Sequence, residues 1–180
     1  AVAQGTVRNL NVQVPNGFET ITAEAVAVGT HAVVWADVTA AHPANLDAGF
    51  VTQFLADFES TILPRGRQIF GMESDQDDDG RIGLVFSPLT YQTSVAYFTR
   101  CDMEASNVCA ASNGGEYLYL TPPATIPPPY NTPNAIKEIL THEASHLIHF
   151  NRKVLKNQLS SWNESSYMIE GVGAFAQDVV

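Results

Sequence analysis

The chain is poor in positive charge. Nine lysines and arginines stand against 19 aspartates and glutamates in 180 residues, a formal net charge of −10, and the only lysines are Lys137, Lys153 and Lys156. So acidic a surface repels phosphate backbones; it argues against nucleic-acid binding and suits an exported enzyme. No stretch approaches the roughly 18 consecutive apolar residues of a membrane-spanning helix, so no membrane span is expected. No charged-then-apolar leader opens AVAQGTVRNL, so any secretory signal is expected to be gone already. Cysteine is scarce too: Cys101 and Cys109 have no second cysteine pair or histidine beside them that would suggest a soft-metal site. They flank a short polar loop and in an exported protein are expected to pair, contributing about 2.5 kcal/mol on chain-entropy grounds. The sequence shows no repeats, and its length suffices for one domain with a substantial core.

Against these absences stands one motif, His142-Glu143-Ala144-Ser145-His146. On a helix its two imidazoles lie about 40° apart on one face, close enough to grip one ion. Glu143 lies about 100° round from His142, off the metal but within reach of a water that the metal activates. A zinc peptidase needs that arrangement. The flanks favour a helix: Thr132 suits the N-cap, Pro133 the first helical position, and Ile136, Leu140 and Leu147 make an apolar stripe roughly 120° from His142. Two surface histidines on an ordinary amphipathic helix are the rival reading, and a chance motif in a loop or strand would lack this stripe.

Two histidines leave the site incomplete. His149 shares their face but lies about 10 Å from His142 along the axis, and no glycine between His146 and Gly171 could turn the chain to bring it back. Downstream, Glu164 sits in a polar Ser/Asn stretch, whereas Glu170 opens an apolar segment with Ile169, Val172, Phe175 and Ala176 at helical spacing. Gly171 and Gly173 in that segment suggest two helices in close approach. Glu170 is the favoured third ligand, with Glu164 the alternative.

These residues resemble the gluzincins, the clan that includes thermolysin, and within it the hyicolysin family of secreted neutral metallopeptidases. The resemblance is carried by LTHEASHLIHF, MIEGVGAFAQDV, FGMESDQDDDGRIGLVFSPL, and AYFTRCD with SNGGEYLYL, which cover most of residues 31–180 in the family's order. It implies an α+β fold with a mixed β-sheet packed on the active-site helix, zinc held by His142, His146 and Glu170, Glu143 as general base, and a protein or peptide substrate. Two departures stand out: MIEG replaces the family's usual residues before the glutamate, and Ala174 stands where thermolysin-like enzymes carry a histidine-orienting aspartate. The sequence singles out no oxyanion donor: Tyr167 and His149 are available, but the resemblance implies a donor beyond the ligand glutamate. Ala174–Val180 reads as mid-helix with no terminator, so the chain is expected to be the N-terminal part of a longer catalytic domain whose C-terminal remainder would be its partner. The competing classes are a non-catalytic zinc- and calcium-binding extracellular adhesion or scaffold module, and a calcium-stabilised structural domain.

The rest of the chain supplies a frame. Residues 1–30 alternate weakly and predict an N-terminal β extension, with the catalytic domain spanning 31–180. His31–Val38, Arg81–Ser87, Ser94–Thr99 and Glu116–Thr121 read as strands. Phe50, Phe54, Phe58 and Ile62 form a helical stripe that is expected to stop at Leu63-Pro64. A proline-rich loop from Pro122 to Pro133 leads into the motif helix. Glu116–Leu120 is expected either as the sheet edge that pairs with an extended substrate or as an interior strand. Finally, Asp75, Asp77 and Asp79 with Gly80 copy the first two-thirds of an EF-hand loop, in which Arg81 would offer its backbone carbonyl. Phe86 stands where the closing glutamate belongs. The expectation is a calcium site, the alternative a solvated acidic turn.

Overall fold

The computed structural model describes residues 2–157 and 165–180. Six strands form one mixed sheet: β1 (Val7–Val14), β2 (Gly17–Val28), β3 (Ala32–Asp37), β4 (Ile82–Phe86), β5 (Ala96–Phe98) and β6 (Tyr117–Leu120). Their order across the sheet is β1-β2-β3-β4-β6-β5. The β3–β4 and β4–β6 pairs are parallel and the rest antiparallel. Helices α1 (Ala48–Asp57), α2 (Leu63–Phe70), α3 (Pro133–Phe150) and α4 (Ser166–Val179) complete an α+β architecture. Among the described residues no helix is long and apolar enough to cross a membrane.

The strand types follow from where each strand sits. AVVWAD and IGLVF are buried along their whole length, as parallel strands covered on both faces must be. β1 and β2 instead alternate: Leu10, Val12, Val14, Ile21, Ala23 and Ala25 point inward and polar neighbours point out. The sheet curls. The Tyr97 hydroxyl of β5, at one end of the order, accepts the Gln13 N–H of β1, at the other, at 2.7 Å. The first two strands therefore share a core with Trp35, Val85, Tyr97 and Tyr119. The boundary expected at residue 30 falls between β2 and β3, antiparallel neighbours in that one sheet.

One open choice is decided and one expectation is corrected. Glu116–Leu120 is no edge: Tyr117–Leu120 pairs with β4 on one side and β5 on the other, and all four residues are buried. β5 takes the terminal place. Nor does the stripe helix stop at Leu63-Pro64. Proline lacks an N–H and its ring strikes the carbonyl four residues back. Here Phe58–Ile62 widens into a π-turn, with the Leu63 N–H donating to the Phe58 carbonyl, so Pro64 falls in the first turn of α2, where no donor is missed. The rod thereby continues to Phe70 and keeps Phe54, Phe58, Ile62 and Leu63 in one core with β3, β4, β6 and the Ile136, Leu140, Ala144 and Leu147 stripe of α3.

Candidate metal centre

Helix α3 starts as its sequence prescribes: the Thr132 hydroxyl accepts the Ala135 N–H at 3.3 Å and Pro133 occupies the first turn. Burial of Ile136, Leu140 and Leu147 against the sheet turns the histidine face towards α4. The rings of His142 and His146 stand edge-on, 4.6 Å between centroids. From α4, Glu170 places its Oε2 3.2 Å from His142 Nε2 and 3.9 Å from His146 Nε2. One ligand atom from each of the three lies within 4.8 Å of the others, so the three favoured residues converge on one point. Glu164 lies outside the described residues.

A glycine makes the approach possible. A Cβ on Gly173, one turn beyond Glu170, would stand 2.4–2.6 Å from three atoms of the His142 ring. Any other residue would push α4 away or turn the imidazole aside. Close helix approach, expected from the Gly171 and Gly173 pair, is required at Gly173; Gly171 faces open space.

The donor set suits a metal by protonation state as well as by position. Burial, reinforced by the neighbouring His142, pushes the His146 imidazole down to about 4 against the opposing pull of Glu170. It is therefore neutral at physiological pH, the form whose lone pair binds metal. Glu143 stays out of the cluster. Its Oε2 accepts the Phe98 backbone N–H from β5 at 3.0 Å. Burial pushes its carboxyl up to about 7, with Phe98 pulling it down and Glu170 adding to the rise.

Neither residue weighed as an oxyanion donor stands in the cluster. Tyr167 is 83% exposed. His149 is half-buried and lines a cavity of about 920 Å³ with Phe70, Met72, Arg152 and Met168, between the ends of α2 and α3 and the start of α4.

The acidic run forms a second cluster, with a member that the loop sequence does not supply. Asp75, Asp77 and Glu116 bring oxygens within 4.8 Å of one another. Glu116 is almost fully buried at the head of β6, accepting from the Ser74 hydroxyl at 2.6 Å and the Gln76 N–H at 3.0 Å. Burial first, and then the charges of Asp77 and Asp75, push its carboxyl up. Burial and the Asp79 and Asp75 charges do the same to Asp77. Asp79 Oδ1 accepts the Arg81 N–H at 2.8 Å, closing a local turn beside the cluster, and the Arg81 side chain donates to the Gly29 carbonyl. The only sequence signal for Glu116 is a carboxylate heading an otherwise apolar strand.

Cys101 and Cys109 form the expected disulfide, with Cα atoms 5.5 Å apart. Compared with known proteins, the chain matches no family model and no curated sequence.

Proposed function

We propose that this chain carries the catalytic centre of an exported zinc-dependent endopeptidase of the gluzincin type, similar to the hyicolysin family, with a thermolysin-like sheet over its metal-binding helix. The observation that carries the reading is the meeting of His142, His146 and Glu170 at one point, with Glu143 beside them on the same helix but outside the set. Two imidazoles and a carboxylate fit zinc and leave a coordination position open. Zinc bound there supplies a Lewis acid and makes water reactive near neutral pH. A dication nearby also draws the Glu143 carboxyl down from its elevated value, so it stands ionised as a base. Glu143 takes a proton from the attacking water as the hydroxyl adds to the scissile carbonyl, then returns that proton to the departing amine. The substrate is a protein or peptide. An extracellular setting is supported by the Cys101–Cys109 bridge, since such bonds persist in oxidising compartments.

Calcium is the second proposed cofactor. Asp75, Asp77 and Glu116 offer hard oxygen donors whose mutual repulsion a cation relieves, with Asp79 and the Arg81 carbonyl beside them. Its role is structural.

The test is metal analysis with casein digestion, before and after chelation and with zinc restored. We expect bound zinc, turnover that chelation abolishes and zinc restores, and a Glu143→Gln variant that keeps fold and zinc but loses roughly 10²- to 10⁴-fold in kcat. Zinc without turnover in the parent points instead to a non-catalytic adhesion or scaffold module. Absence of zinc overturns the reading. Glu143→Gln activity within about tenfold of the parent removes Glu143 as the base.

A further inference from the structure

We infer that the backbone N–H of Phe98 is the positioning group for Glu143, so that strand β5 as well as helix α3 sets the geometry of the base. What the base does rests on the peptidase reading; the contact does not.

A glutamate fixed only at its backbone has several rotatable bonds and samples many carboxylate positions. Glu143 is held at the far end too, by the 3.0 Å bond from the Phe98 N–H to Oε2. Strand phase explains why this donor is available. In the antiparallel β5–β6 pair the Val95 carbonyl accepts the Thr121 N–H. Alternation then turns Tyr97 towards β6 and the backbone groups of Ala96 and Phe98 away from it. An outward N–H at the end of a sheet normally goes to water or a new strand. Here α3 crosses that side and supplies a carboxylate, which makes the bond charge-assisted.

Both ends of the contact are braced. The Phe98 ring packs against Phe150 of α3 with centroids 5.7 Å apart, tying the strand to the same helix two turns beyond Glu143. Just after β5, the Cys101–Cys109 bridge and Asp102 anchor the chain; Asp102 accepts from the Tyr119 hydroxyl at 2.6 Å and the Asn113 N–H at 2.8 Å. With Oε2 occupied, Oε1 is the oxygen left for the water's proton. The strand end therefore orients the base without touching substrate.

Two measurements test this. Amide exchange of the metal-free protein reads the contact directly. The Phe98 amide should exchange slowly in the parent and at least about tenfold faster in Glu143→Ala, while Tyr97, bonded to β6, keeps its rate. Equal Phe98 rates in the two proteins overturn the inference. Replacing residue 98 with phenyllactate converts the amide to an ester, removing the N–H, keeping the ring and weakening the Tyr97 carbonyl as an acceptor for β6. We expect kcat to fall roughly 10- to 100-fold with KM and zinc content unchanged and only a modest fall in melting temperature. An unchanged kcat overturns the inference, and so does a loss that appears only in KM or thermal stability. Should the parent show no turnover, the peptidase reading falls while amide exchange still decides the contact.

Discussion

At the scale of single residues, a missing methyl group at position 173 governs how closely Glu170 and the two histidines meet. Because a Cβ there would overlap the His142 ring, Gly173→Ala forces a choice between moving the imidazole and moving α4. Turning a ring costs less than displacing a packed helix. We therefore expect the variant to lose roughly 10- to 100-fold in zinc affinity by chelator competition, with stability reduced by about 1–3 kcal/mol. Unchanged affinity would show that α4 has room to retreat. Asp102 gives a second prediction. Burial pushes its carboxyl up to about 6 from 3.8, although bonds from Tyr119 and Asn113 pull the other way. A carboxyl with a raised folded-state pKa favours folding most when protonated. Its contribution is fully present below about pH 4 and is lost as the pH rises through about 6. The stability of the metal-free parent relative to Asp102→Asn should thus fall by roughly 2.5 kcal/mol between pH 4 and 7, measured by urea unfolding. A difference that stays flat with pH would place the carboxyl in a more polar setting than this network provides.

At the scale of elements, the segment after β5 ties the strand terminus to the interior. Cys101 and Cys109 close a short loop, eight residues apart in sequence, and Asp102, inside that loop, reaches the buried Tyr119 hydroxyl of β6. A Cys101→Ser/Cys109→Ser protein should lose about 2.5 kcal/mol, read from its urea midpoint. If the midpoint does not move, the Asp102, Tyr119 and Asn113 bonds alone hold the loop. The Phe58–Ile62 π-turn shows a different economy. Widening a single turn lets one rod pass through Pro64 and bury residues on both sides of it. A break there would have exposed the Leu63 side of the stripe.

At the scale of the whole molecule, a net charge of −10 works against the compact state, and carboxylates held close together concentrate that cost. The Asp75, Asp77 and Glu116 cluster is where a cation would relieve most. It joins the loop before β4 to the head of β6, so an ion there would link parts of the chain far apart in sequence. With zinc held constant, calcium at about a hundred times its dissociation constant should stabilise the fold by roughly 2.7 kcal/mol, a rise in melting temperature of about 5–10 °C. The Asp77→Asn/Glu116→Gln protein should lose this response. If the parent's melting temperature ignores calcium, the run is a solvated acidic turn.

Local rules settled much of this protein. The apolar phase of Ile136, Leu140 and Leu147, the Thr132 cap and the placement of His142, Glu143 and His146 on α3 all follow from helical periodicity. That periodicity acts within a few residues and is written in the order of the chain. Strand positions were legible for the same reason, and the cysteine pair from the short polar loop that it flanks. Glu170 could be ranked above Glu164 from its helical, glycine-bearing surroundings. Its meeting with the histidines depended on how closely α4 packs at Gly173, a distance between helices that no local pattern encodes. Sequence also left open whether Tyr117–Leu120 lay inside the sheet or at its edge, because strand order depends on the crossovers. Pro64 misled, since the penalty it carries was absorbed by a turn that only core packing stabilises. Glu116 joined the acidic loop, and the Phe98 amide reached Glu143, through contacts spanning 40 and 45 residues. Such contacts exist only once the sheet has curled and the helices have settled on it.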